Sequence, residues 1–221
     1  MKTSVYLGHP DLTNSSSQNF LLAAGKDQAD VTFFDLNQVT KESLVSFRDQ
    51  IRVSDQIILQ FPLYWYQAPA LVKNFIDLHL GELSRSDLEG KYMGLVVVVG
   101  SKADDYQAGT LVNRTLSELL SPFEAFANYK GMHYRPIFPI YQFQYLDEIE
   151  KMHLIWRYRF YLKGSKDTSL AAYSQYLLDH ARDLAWGQDL DPIVAYQWQD
   201  FLDRLEANGQ ELLELRSLTQ S

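Results

Sequence analysis

The sequence predicts an α/β fold: a doubly wound, five-stranded parallel sheet in the order 2-1-3-4-5, with a helical C-terminal extension. Two observations carry this. Short apolar runs alternate with stretches of helical period, and that alternation calls for a parallel sheet with helices on both faces. The run Gly94-Leu95-Val96-Val97-Val98-Val99 is apolar without alternation, as a central strand covered on both sides requires. Right-handed crossovers then leave few topologies, and in such sheets ligands bind at the carboxyl ends of the strands.

The elements follow in chain order. Val5, Tyr6 and Leu7 form the first strand, and a serine-rich turn leads into a helix through residues 19–24. Residues 31–36 read as the second strand, and Thr40 is the N-cap expected for a helix bearing Leu44, Val45, Phe47 and Ile51. Residues 57–61 form the third strand, stopped by Pro62; helical spacing resumes after Pro69 through Leu80. The valine run is the fourth strand, and a helix over 110–120 is ended or kinked by Pro122. Residues 136–141 are the fifth strand. Residues 142–163, dense in aromatic and charged side chains, read as an insertion. Leu170, Tyr173, Leu177, Leu178, Ala181 and Leu184 mark an amphipathic helix, and a last helix from Pro192 is interrupted at Asn208-Gly209. With no long linker, residues 1–221 read as a single domain whose segment 142–221 is insertion plus helical extension.

Composition narrows the chemistry. A formal charge of −8 and a pI near 5.1 argue against nucleic acid as a partner, because phosphate backbones need a basic surface. The absence of cysteine removes thiolate catalysis, iron–sulfur clusters and the usual zinc sites. The five histidines are scattered without metal-ligand spacing, so no metal site is expected. The N-terminus lacks the apolar run of a signal peptide, which predicts a cytoplasmic protein.

Three loops follow strands 1, 3 and 4. The first carries His9, Ser16, Ser17, Gln18 and Asn19: hydroxyls, backbone N–H groups and a helix N-terminus, a combination that suits a phosphate. The same residues also make an ordinary capped helix after a polar turn. No GxGxxG or Walker pattern is present. The second loop, Pro62-Leu63-Tyr64-Trp65-Tyr66, places three consecutive aromatics after a buried strand, and they cannot all face one core. At least one is expected in the cleft, against a planar ring or a second subunit. In the third, Val98-Val99-Gly100-Ser101, Gly100 permits close approach of a ligand, and Tyr106 carries a donor able to reach a carbonyl oxygen. Lys102, Asp104 and Asp105 read as solvated charges.

Together the loops resemble the flavodoxin-like NAD(P)H:quinone oxidoreductases, a family that includes DT-diaphorase, the modulator of drug activity, the ancillary reductases of potassium efflux and bacterial general stress proteins. The resemblance rests on His9-Pro10, Ser16-Ser17-Gln18-Asn19, the stretch Phe61-Pro62-Leu63-Tyr64-Trp65-Tyr66-Gln67-Ala68-Pro69, and Tyr106-Gln107-Ala108-Gly109 with Asn113-Arg114 and Gly131-Met132. It spans residues 3–141 and implies the flavodoxin-like fold. It further implies that His9 and Ser16 to Asn19 hold a flavin phosphate and ribityl chain, and that Leu63 to Tyr66 contact the isoalloxazine ring. FMN is the cofactor so implied (FAD the alternative), NAD(P)H the co-substrate, and a quinone the acceptor of two electrons, in a homodimer. Where the family carries Thr-Thr-Gly-Gly, this chain has Val98-Val99-Gly100-Ser101, which keeps the backbone donors but loses two hydroxyls. The histidine that some relatives use as a proton relay is also missing, which leaves protons to Tyr106 or to solvent, with Tyr106 the candidate catalytic residue. Alternatives within the resemblance are a regulatory flavoprotein subunit in peripheral contact with a membrane transporter, a one-electron carrier, and a homologue without flavin.

Overall fold

Strands and helices alternate through Met1–Gly164 in the computed structural model, which describes residues 1–39, 44–183 and 192–219. Strand β1 (Thr3–Leu7) leads to α1 (Ser16–Gly25), β2 (Val31–Asp35) to α2 (Leu44–Val53), and β3 (Gln56–Pro62) to α3 (Ala70–Phe75), which runs on as a π-helical turn over Ile76–Leu80. A short α4 (Arg85–Leu88) precedes β4 (Tyr92–Val99). Helices α5 (Leu116–Leu119) and α6 (Ser121–Tyr129) lead to β5 (His133–Tyr134) and β6 (Phe138–Tyr141), and α7 (Glu148–Lys163) closes the unit. The expected cap Thr40 lies outside the described residues, as do Leu184 and the rest of 184–191.

The sheet is parallel throughout in the order β2-β1-β3-β4-β5, with β6 also paired to β4. β5 faces Tyr92 and Met93, and β6 faces Val96 to Val99, so the two are one edge position broken in the middle. The break falls at Pro136, just past the Arg135 N–H that donates to the Met93 carbonyl. The order 2-1-3-4-5 stands as expected, with β5 as an added piece of the fifth strand.

Alternation within each strand divides the core. Tyr6, Ile57, Leu59, Phe61, Leu95 and Val97 face one way, covered by residues of α2, α3 and α6. Val5, Leu7, Ile58, Val96 and Phe138 face the other way, against Leu21 and Ala24 of α1 and Leu154, Tyr158, Tyr161 and Leu162 of α7. The segment read from sequence as an insertion therefore supplies the second cover helix of the sheet. Its start is chemically marked: Asp147 and Glu150 form a reciprocal capping box.

At the break in the edge strand, Arg135 is buried and turned inward. Its guanidinium donates to Gln56 Oε1 and to the Tyr161 carbonyl (3.0 Å), and lies 4.5 Å over the Tyr161 ring. It thus sits at the C-terminal end of α7, where the helix dipole favours a cation.

Two local expectations change. The helix over 110–120 is reduced to α5, with Thr115 and Glu118 as a capping box, because Pro122 opens α6 near its first position instead of ending a longer helix. The second compact unit, Ser165–Ser221, contains α8 (Leu170–Asp183) and α9 (Pro192–Thr219), packed through Leu178, Ala181 and Leu202 with Trp198 and Leu205. Asn208-Gly209 does not interrupt α9, which runs unbroken. Among the described residues, no helix is long and apolar enough to cross a membrane.

Candidate cofactor site

The carboxyl ends of β1, β4 and β6 bring three loops together around a cavity of about 340 Å³, within the size range of small-molecule sites. It is lined by Ser16, Ser17, Val98, Val99, Gly100, Gln142, Phe143, Gln144 and Tyr145. Among the described residues, no group of three or more His, Asp or Glu is placed to hold a metal ion.

Loop 1 leaves β1 at Gly8, whose N–H donates to the Gln60 carbonyl at 2.8 Å. Any Cβ here would sit 2.2 Å from Val72 Cγ2, so the chain can leave the sheet this close to α3 only with glycine. Ser15 is the N-cap of α1 and accepts from the Gln18 N–H, while the Asn19 N–H donates to the Ser15 carbonyl. The N–H groups of Ser16 and Ser17 have no intrahelical acceptor, as at any helix start, and belong to residues lining the cavity. His9 Nδ1 accepts from the Asp11 N–H (3.0 Å), so in the neutral ring Nε2 carries the proton and donates to the Tyr64 hydroxyl at 3.2 Å. The Asp11 carboxylate accepts from the Asn14 side chain and backbone, which lowers its pKa.

The aromatic loop is built under strain. Leu63 donates to the Val98 carbonyl, and Tyr64 and Gln67 exchange backbone hydrogen bonds around Trp65 (φ 47°) and Tyr66 (φ 66°). Positive φ at both central residues defines a type I′ turn, which ordinarily takes Asn-Gly. For bulky side chains such geometry costs on the order of 1–3 kcal/mol per residue and collects at functional sites. The turn displays all three aromatics to solvent, with Trp65 90% exposed.

In loop 3, a Cβ at Gly100 would meet no protein atom within 4 Å, so that backbone faces open space. Tyr106 is almost fully buried, beside the Ser101 hydroxyl and Tyr66, with its ring 6.0 Å from that of Tyr141. Burial raises its pKa above the usual phenol value, so it remains a hydrogen-bond donor at neutral pH.

The cavity therefore gathers Ser16, Ser17, Val98, Val99 and Gly100. His9 and Tyr64 are joined to each other, Ser101 and Tyr66 stand beside Tyr106, and Pro62 lies buried at the end of β3. Asn19 is exposed and donates to the Thr13 carbonyl at 3.0 Å. Gln18 departs from its expected role: it is wholly buried and bonded to Gln60. The stretch from Gln142 to Tyr145 escaped the sequence reading. Its signal was position, since it follows the fifth strand at the carboxyl edge of the sheet.

A cleft at the carboxyl ends of a doubly wound sheet, opened by a helix N-terminus, lies where this architecture takes its ligands, here without a glycine-rich motif. The profile of the flavodoxin-like fold matches residues 1–157, and the chain belongs to that family. The NAD(P)H oxidoreductase YrkL of Bacillus subtilis is 33% identical over 172 residues, covering 74% of this chain and 99% of that protein. Among solved structures, an NADPH-quinone reductase from P. pentosaceus shares 37% identity at a TM-score of 0.69, covering 73% of this chain and 98% of that one. General stress protein 14 from Treponema denticola, solved in complex with FMN, shares 25% identity at a TM-score of 0.64, covering 74% and 99%.

Proposed function

We propose that the chain is an FMN-dependent NAD(P)H:quinone oxidoreductase acting as a homodimer. One observation carries the reading: a single cavity joins the open N–H groups of a helix start to a bare glycine backbone, beside a strained turn of exposed aromatics. Each part answers a different piece of the cofactor. The Ser16 and Ser17 N–H groups and hydroxyls suit the phosphate, supported by the dipole of α1. The backbone of Val98 to Gly100 and the turn from Leu63 to Tyr66 suit the planar ring. The lining has one α-helix N-terminus for one phosphate, beside the single 3-10 turn Phe143–Tyr145, which favours FMN over FAD. When bound, the flavin supplies two-electron hydride chemistry; the protein supplies binding, orientation and electrostatics.

Tyr106 is the residue we assign to acceptor chemistry. Its protonated phenol, flanked by Ser101 and Tyr66, donates to a quinone oxygen as that oxygen gains charge. Pairing of two chains across the exposed turn shields Trp65, and a monomer in sedimentation equilibrium would remove this part of the reading. Stopped-flow measurement of the two half-reactions in FMN-loaded protein tests the whole. NAD(P)H oxidation coupled to quinone reduction is the expected result, and absence of both refutes the assignment. Tyr106→Phe should slow the acceptor half-reaction about tenfold, or roughly 1.4 kcal/mol, and leave the NAD(P)H half-reaction unchanged. Equal rates in both proteins would make Tyr106 a packing residue.

A further inference from the structure

Both ends of the loop that opens the cavity are tied to one residue of β3. The Gln60 main-chain carbonyl accepts the Gly8 N–H at 2.8 Å, where the loop begins. Its side-chain Nε2 donates to Gln18 Oε1 at 2.7 Å, in the first turn of α1, where the loop ends. On the other side, Gln60 Oε1 accepts from the Tyr158 hydroxyl on α7 at 2.6 Å. All three side chains are fully buried. A continuous line of hydrogen bonds thus runs from α7, along the sheet face that it covers together with α1, to the helix start that lines the cavity.

This polar line crosses a layer that is otherwise apolar, among Val5, Leu7, Leu21, Ile58 and Val96. Burying amides there costs desolvation, and Gln18 Nε2 is buried with no hydrogen-bond partner. Apolar side chains would fill the layer without that cost. What the bonds that are made add is a single arrangement of the parts they join. The Gln18 N–H is also capped by Ser15, so the turn carrying Ser16 and Ser17 moves with Gln18 as one piece.

We propose that Gln60, oriented by Tyr158, is the positioning residue of the anion-binding loop: it sets where the Ser16 and Ser17 N–H groups point while touching no ligand itself. The proposal rests on the flavin reading above and adds a residue to it that lies outside the cavity. A misplaced turn weakens only interactions made by that turn, so the effect is confined to the phosphate. A structural role would instead weaken every ligand alike.

The test is to titrate purified wild type, Gln60→Leu and Tyr158→Phe with FMN and with riboflavin, which lacks the phosphate. Gln60→Leu is expected to raise the Kd for FMN about tenfold or more while the Kd for riboflavin changes less than about twofold. Tyr158→Phe keeps the ring and its packing, and is expected to show the same selectivity at about threefold. It supplies the answer should Gln60→Leu fail to fold by circular dichroism. Equal weakening of both flavins, or of neither, overturns the positioning role and leaves the flavin reading standing. Wild-type protein that binds neither flavin overturns both.

Discussion

Above pH 10, the folded state is expected to lose about 4 kcal/mol of stability for each further pH unit. Three buried phenols alone produce this slope, and burial raises Tyr106, Tyr134 and Tyr141 in the same direction. Tyr6, Tyr158 and Tyr161 are buried, and burial raises the pKa of each above its ordinary value of 10. In the unfolded chain they ionise near pH 10; in the folded chain they keep their protons. The stability tied to them is fully present below pH 10 and is lost as the pH climbs from there toward the folded values. Against a typical total of about 5–15 kcal/mol, unfolding within a few pH units follows. Recording tyrosinate absorbance and far-ultraviolet circular dichroism along one alkaline titration checks it. The exposed tyrosines should titrate first, and a second step should coincide with loss of helix signal. A single smooth ionisation of every tyrosine with the helix signal intact would contradict the burial assigned to these three.

Arg135→Ala is expected to destabilise the protein by about 3–5 kcal/mol, because it leaves two buried acceptors unpaired and removes a packed side chain. The guanidinium satisfies Gln56 Oε1 and the Tyr161 carbonyl, and covers the Tyr161 ring. Removing it strands those acceptors at the C-terminal end of α7 and opens a cavity where the edge strand is already broken. For a chain of this size the loss corresponds to a fall in Tm of roughly 10 °C. Differential scanning calorimetry reads it directly. A change under about 1 kcal/mol would mean that the surrounding polar groups find other partners. The burial that makes the residue valuable also lowers its pKa, since the charged form gives up solvent.

Much of the fold could be read in the chain because burial on two faces leaves an unmistakable mark. The unalternating valines of β4 and the apolar strands around them place the sheet, and the segments between them supply its covers. The last cover helix was harder to read. In α7 the aromatic residues Trp156, Tyr158, Phe160 and Tyr161 are interleaved with Arg157, Arg159 and Lys163, so no clean stripe separates its buried face. The site shows the same division. Ser16 and Ser17 were legible as a hydroxyl-rich helix start. Gln18 was grouped with them by its neighbours, although its spacing from Leu21 and Gly25 puts it on the buried face of α1. The positive φ of Trp65 and Tyr66 was not legible, because bulky residues ordinarily avoid that region and only the surrounding structure holds them there.

The central claim is that the cavity at the start of α1 holds FMN, and denaturing release of cofactor from the purified protein tests it most directly. After incubation with excess FMN and removal of what is unbound, chromatography of the released material should yield FMN, close to one molecule per chain. Recovery of no flavin would contradict the claim and turn the helix start, the bare Gly100 backbone and the strained aromatic turn into features that need another ligand.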